Sequence, residues 1–187
     1  MNIYMDRKRE QRTRIFRQVV NYFITVLVAL VLAFCFVYFL FQTTTVVGDS
    51  MAPTLEDGNR VVLAKNAYLF QKPQRYDVIK FKITKSKTDH EYIKRIVGLL
   101  EEKIQILDGS IYVDGEQLND VPFDDLIVSA GIADEEFILG KDEYFVIGDN
   151  CNNSEDSRFT NVGAVTKDSI EGKVIARMKG IRLRKVK

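Results

Sequence analysis

Along this chain the pattern of apolar and polar positions changes character once, near residue 42. Residues 19–41 form an unbroken apolar run without a charged side chain, in which Asn21 and Thr25 are the only clearly polar residues. As an α-helix rising about 1.5 Å per residue, the run predicts a rod of roughly 34 Å, enough to cross a hydrocarbon core of about 30 Å. A cleavable export signal has a shorter apolar core, about 7–15 residues, and closes on a small-x-small site. Here Gln42-Thr43-Thr44-Thr45-Val46-Val47 follows instead. From residue 43 onward the pattern breaks into short runs rich in Val, Ile, Phe and Tyr, separated by Gly, Asp and Asn. Strands are predicted over residues 45–48, 60–65, 77–84, 91–99, 103–107, 110–113, 136–139, 144–148 and 173–178. Asp108-Gly109 and Asp114-Gly115 bracket one very short run, which predicts a small meander. Residues 116–135 alternate poorly and read as a surface loop. The pattern as a whole predicts a mostly β, sheet or barrel-like domain preceded by one N-terminal transmembrane helix.

Charge gives the anchor a direction. Residues 1–18 hold six basic residues (Arg7, Lys8, Arg9, Arg12, Arg14, Arg17) against two acidic ones, whereas residues 42–59 hold no Lys or Arg. Basic flanks stay on the cytoplasmic side, so residues 1–18 are expected in the cytoplasm, residues 19–41 in the membrane and residues 42–187 outside it. In the 187 residues the net charge is +1 and the basic residues of the domain are dispersed, so nothing suggests a nucleic-acid surface and no nucleic-acid partner is expected. Cys35 lies inside the apolar run and Cys151 far downstream, so no intrachain disulfide is expected. Two cysteines and the single histidine, His90, are too few for a zinc site, and no metal or other cofactor is implied.

Nucleophilic catalysis through histidine would require His90, which lies in Lys85-Ser86-Lys87-Thr88-Asp89-His90, a polar stretch that reads as an exposed turn. A base must stand within hydrogen-bond reach of its nucleophile, so any hydrolytic site here points to lysine instead. An ordinary lysine with a pKa near 10.4 is almost wholly protonated at neutral pH; burial among apolar groups lowers that value. Lys94 in Tyr92-Ile93-Lys94-Arg95-Ile96-Val97 has such a setting, with alternation placing Tyr92, Lys94 and Ile96 on one face. Ser50 follows Gly48-Asp49 and precedes Met51-Ala52-Pro53, a stiff turn within reach of the bilayer. Residue types alone leave open that Lys94 snorkels from an edge strand and that Ser50 is an ordinary linker serine.

Five blocks, in order, resemble the type I signal peptidases of bacteria. They are Gly48-Asp49-Ser50-Met51-x-Pro53-Thr54-Leu55, then Arg75-Tyr76-Asp77-Val78-Ile79-Lys80-Phe81, then Tyr92-Ile93-Lys94-Arg95-Ile96-Val97-Gly98-Leu99. Next come Gly148-Asp149-Asn150-x-x-x-Ser154-x-Asp156-Ser157-Arg158, and Gly163-x-Val165 with Ile170-x-Gly172-Lys173-Val174. The resemblance implies a Ser/Lys dyad on a signal-peptidase-type β fold, acting on signal-peptide-bearing preproteins at a membrane lipid surface. It assigns Ser50 as nucleophile, Lys94 as general base and Ser154 as a hydroxyl orienting the lysine. Asp149, Asp156, Arg158 and Arg95 correspond to supporting ion pairs, with Arg95 expected to face Asp149. Some relatives carry a serine where Gly48 stands, so the oxyanion hole is expected around Gly48 and the Ser50 backbone N–H. Small residues such as Ala are implied at the first and third positions before the cut, with Met51 and Tyr68-Leu69-Phe70 lining the cleft, meeting lipid or filling the core. The family's Arg-Gly-Asp is Arg75-Tyr76-Asp77 here, and its Gly-Leu-Pro-Gly-Asp is Gly98-Leu99-Leu100-Glu101-Glu102, which puts that turn in question. Two other readings remain at this stage: a non-enzymatic assembly factor on the same fold, expected to lack the dyad, and a self-cleaving repressor, expected to carry a helical DNA-binding module in place of the span.

Overall fold

Nothing in residues 2–40 interrupts a helix: the stretch contains neither proline nor glycine. The computed structural model describes residues 2–85, 88–119, 121–123, 125–179 and 182–186, and in it Asn2–Leu40 forms a single helix, α1. Its segment Arg14–Leu40 is long and apolar enough to cross a membrane. Thr25, one of the two polar residues of the run, donates its hydroxyl to the Asn21 carbonyl at 2.9 Å, which satisfies it without water.

The chain divides after Leu40 into this helix and a β unit. Its strands, among the described residues, are β1 (Phe41–Thr45), β2 (Arg60–Ala64), β3 (Val78–Lys85), β4 (Thr88–Gly98), β5 (Lys103–Leu107), β6 (Ser110–Val113) and β7 (Glu116–Gln117), followed by β8 (Phe137–Ile138), β9 (Glu143–Ile147), β10 (Val165–Thr166), β11 (Ile170–Lys179) and β12 (Arg182–Lys185). One sheet runs β1-β2-β11-β3-β4-β9-β10, with β12 added to β11; a second runs β7-β6-β5-β8. The mostly β expectation holds, with open sheets in place of a closed barrel. The predicted meander is β5-β6-β7, antiparallel throughout. Its turns place Asp108, Gly109, Asp114 and Gly115 at positive φ, the conformation two-residue hairpins need.

Three expectations shift. The strand expected at residues 45–48 lies earlier, because Phe41 to Thr45 pair in register with Ala64 to Arg60 of β2 and Gly48 turns left-handed at φ 82°. His90 lies in β4, exposed, opposite Ile83 of β3; Ser86 and Lys87 of the expected turn lie outside the described residues. The 116–135 segment is more than surface loop, since Phe123, Ile127 and Ala133 bury themselves with Ile104, Ile111 and Phe145 between the second sheet and β9. Asp120 and Asp124 of that segment lie outside the described residues. Strands β7, β10 and β12 went unpredicted because they are short and mostly polar.

Candidate active site

The loop after β1 is fastened from two sides. Val46 and Asn59 pair across it at 2.8 Å, and Gly58 N–H reaches Val46 O at 3.0 Å. Gly48 donates its N–H to Asp57 Oδ1 at 2.7 Å. Met51 and Leu55 are fully buried and close one helical turn through Leu55 N–H to Met51 O, 2.8 Å. From the opposite side, Asn150 donates its backbone N–H to Ser50 O and its side-chain amide to Asp49 O, both at 3.1 Å. Gly148 permits this approach, because a Cβ there would overlap both the Ser50 carbonyl oxygen and the Ser154 hydroxyl. Gly148→Ala is therefore expected to displace the serine loop and lower activity by about 10²-fold. Circular dichroism should remain that of the parent, so the loss would read as misplacement rather than unfolding.

Lys94 comes to this loop from β4, where it lies opposite Ile79 of β3. Its Nζ is 2.6 Å from Ser50 Oγ, and the residue is 3% exposed. Burial pushes its pKa down to about 8, against the pull of the Asp156 and Glu155 charges, which raise it. No carboxylate forms a salt bridge with Lys94 among the described residues. Lys80 on the neighbouring strand makes the contrast plain. It too has little solvent exposure, 5%, yet its Nζ meets Glu91 at 2.9 Å and Glu171 at 2.6 Å. Burial opposes its charge too, but hydrogen bonds to Glu171 and Glu91 outweigh the cost and raise its pKa. Of two lysines in apolar strands, one is poised to lose its proton and the other to keep it.

Ser154 is brought beside Gly148, but its hydroxyl donates to Asp156 Oδ2 at 2.7 Å, and the bond expected from it to the Lys94 amine is not formed. The carboxylate is the stronger acceptor. Asp156 Oδ2 also receives the Gly148 N–H at 3.1 Å, and both of its oxygens receive Arg158, with Nε on Oδ1 at 2.8 Å and Nη2 on Oδ2 at 2.9 Å. Arg158 goes on to the carbonyls of Cys151 and Ser129. Arg95 and Asp149 form the second buried pair, Nε to Oδ1 at 2.7 Å and Nη2 to Oδ2 at 2.6 Å. These pairs tie the 148–158 loop to β4 and to itself, and none of the four charged groups touches Ser50 Oγ.

The Gly48 contribution to an oxyanion hole is not available, since its N–H is occupied by Asp57. The Ser50 N–H meets no acceptor among the described residues. The two turns in which the family's glycines are missing persist. Tyr76 and Glu101 adopt φ 70° and 64°, the left-handed region that glycine fills without strain. Tyr76 is held there by its N–H on Ile96 O and by Arg95 Nη1 on its own carbonyl, each at 2.8 Å. Glu102 closes the other turn by accepting the Leu99 N–H at 2.7 Å while gripping Arg75 with both oxygens.

A cleft leads to the dyad between two strand edges. One wall is residues 44–47, at the free edge of β1; the other is residues 91–94 of β4, with Met51 and Lys80 between. The β4 wall is open because β9 pairs only with Arg95, Ile96 and Gly98. Of the Tyr68-Leu69-Phe70 cluster, Tyr68 packs inward and donates to Asp77 Oδ2 at 2.9 Å, whereas Leu69 and Phe70 are exposed. Sequence reasoning missed the holding roles of Asp57, which closes its own loop nine residues on, and of Asn150, which comes from a distant segment.

Comparison with known proteins follows the same outline. The family described as signal peptidase, peptidase S26, matches residues 19–179. A probable signal peptidase I-2 of Synechocystis sp. is 31% identical over 159 residues, spanning 82% of this chain and 70% of its own length. Signal peptidase I T of Bacillus subtilis is 32% identical over 154 residues, spanning 79% and 78% respectively. A crystal structure of a signal peptidase I from Enterococcus faecalis aligns at 27% identity over 56% of this chain and 97% of that one, with a TM-score of 0.42.

Proposed function

The chain belongs to the signal peptidase family, peptidase S26, a membrane-associated serine endopeptidase acting on signal peptides, and from that premise we propose that Ser50 is its nucleophile and Lys94 its general base. The observation that carries this reading is the 2.6 Å approach of a buried lysine amine to a serine hydroxyl. In the free-base form, Lys94 Nζ takes the Ser50 proton as Oγ attacks the scissile carbonyl. The Ser50 N–H meets the developing oxyanion. Lys94 then passes that proton to the departing amine, leaving an ester on Ser50. A water molecule, deprotonated in turn by Lys94, releases the acid and restores the serine. Asp156 positions Ser154 and the Gly148 backbone, and so acts on the dyad through its frame.

The substrate enters as an extended segment between the β1 and β4 edges, where unpaired backbone groups of β4 offer a ladder. The stretch following a signal peptide's apolar core fits this cleft, with small side chains at the first and third positions before the cut. The helix crosses the cell membrane with its basic end in the cytoplasm, leaving the β unit outside, and the exposed Leu69 and Phe70 offer contact to lipid.

Cleavage of a precursor whose signal peptide ends in Ala-x-Ala, followed over pH in detergent, tests the reading. Because the active form is the free amine, kcat/KM is expected to rise with pH through about 8 and level off above it. A profile flat from pH 6 to 10, or one still rising at 10.5, would contradict it.

A further inference from the structure

The cleft beside the dyad has a second polar end. Lys80 reaches into it from β3 and is 5% exposed, whereas Glu91, which lines the β4 wall, is 55% exposed. One ammonium held between the carboxylates of Glu91 and Glu171 leaves the cluster with one net negative charge, and the ammonium itself is sequestered. The neighbouring charges beyond it, Lys82 and Asp89, pair with each other and cancel. Beside the cluster the cleft is lined by the apolar side chains of Val46, Met51 and Ile93. What an occupant of this end meets is therefore an apolar lining and the accessible carboxylate of Glu91.

Spacing identifies the occupant. Glu91 precedes Lys94 by three positions on β4, about 10 Å at roughly 3.3 Å per residue, and alternation gives it the face of Ile93 and Lys80, both of which line the cleft. A substrate strand turns alternate side chains to the same wall, so its first, third and fifth residues before the cut face the cleft. The fifth lies about 13 Å from the scissile bond by the same rise, within reach of the Glu91 side chain. We infer that Glu91, braced by Lys80, is a specificity-determining residue that favours a cationic side chain five residues before the cut and disfavours an anionic one there. This rests on the protease reading above and on the upstream segment of the substrate occupying the cleft.

Three precursors differing only at that position, with Lys, Gln or Glu, test the inference with the full-length protein in detergent. For the wild type, kcat/KM is expected to favour Lys over Glu by about tenfold at low ionic strength, with Gln between, and the ratio should shrink with added salt. Glu91→Gln should bring the ratio close to one, and Glu91→Lys should reverse it. Using the ratio within each enzyme cancels any general change in activity, and Glu91→Gln serves where the charge reversal impairs folding. A Lys-to-Glu ratio identical in the wild type and Glu91→Gln overturns the inference while leaving the dyad untouched. Cutting by Ser50→Ala at the wild-type rate would overturn the protease reading and this inference together.

Discussion

Replacing Lys94 with methionine is expected to lower kcat for precursor cleavage by about 10²–10⁴-fold, the usual contribution of a positioned general base. The protein should stay folded. Methionine fills nearly the same volume and the lysine site is dry, so the change removes a strained amine rather than a support. Ser50→Ala should fall to background because no oxygen is left to attack. Lys94→Arg should also be inactive, since a guanidinium keeps its proton. Initial rates on the Ala-x-Ala precursor decide these points, and Lys94→Met activity within tenfold of the parent would remove lysine from the mechanism. Stability supplies a second sign. The folded-state pKa of Lys94, about 8, lies below the ordinary 10.5, so between these values the unfolded chain binds more protons than the folded one. Stability is thus reduced below pH 8, and this penalty is relieved as pH rises from about 8 to 10.5. Lys94→Met should lack that part of the rise and unfold at the same or a higher temperature than the parent at pH 7.

Asp156→Ala is expected to be the most destabilising single change near the site. It leaves the Arg158 guanidinium buried without its carboxylate and removes the acceptor of both Ser154 Oγ and the Gly148 N–H. Breaking a buried pair on one side costs about 3–5 kcal/mol. At about 2–4 °C per kcal/mol for a chain of this size, the midpoint should fall by roughly 6–20 °C. The double variant Asp156→Ala/Arg158→Met should recover part of that loss, because an uncharged pair carries no desolvation penalty. Glu136→Ala, which breaks the exposed Lys103–Glu136 bridge, should change stability by no more than about 1 kcal/mol. Thermal unfolding in detergent, read by circular dichroism, measures all three. A midpoint for Asp156→Ala within 2 °C of the parent would show that the 148–158 loop does not depend on this pair.

Much of the architecture was legible because it is written in local periodicity. An unbroken apolar run reads as α1, and alternation marks β3, β4, β5, β6 and β9 to within a few residues. Asp-Gly pairs fixed the meander, since few residues tolerate the required backbone angles. Strands such as β10 and β12 carry no such pattern, because their partners, and not their composition, make them strands. Segment 116–135 misled for a related reason: its buried Phe123, Ile127 and Ala133 are spaced without period and find the core through an irregular path.

At the site, residue types alone left Ser50 and Lys94 open, and it was the five blocks in the family's order that singled them out and paired Arg95 with Asp149; strand alternation added that Lys94 and Arg95 lie on opposite faces. Yet Val78-Ile79-Lys80-Phe81 and Tyr92-Ile93-Lys94-Arg95 are alike as text, each a lysine in an apolar strand. The difference lies in which carboxylates fold against them: Glu91 and Glu171 hold the proton on Lys80, while Lys94 faces a serine hydroxyl in a dry pocket. The same holds for Gly48 and Ser154, whose hydrogen bonds go to Asp57 and Asp156. Sequence determined the apolar helix and most of the strands, because these follow from near neighbours along the chain. Only the tertiary structure decided which lysine is buried without a carboxylate partner and where each donor points, because burial and hydrogen bonding depend on groups brought together through space.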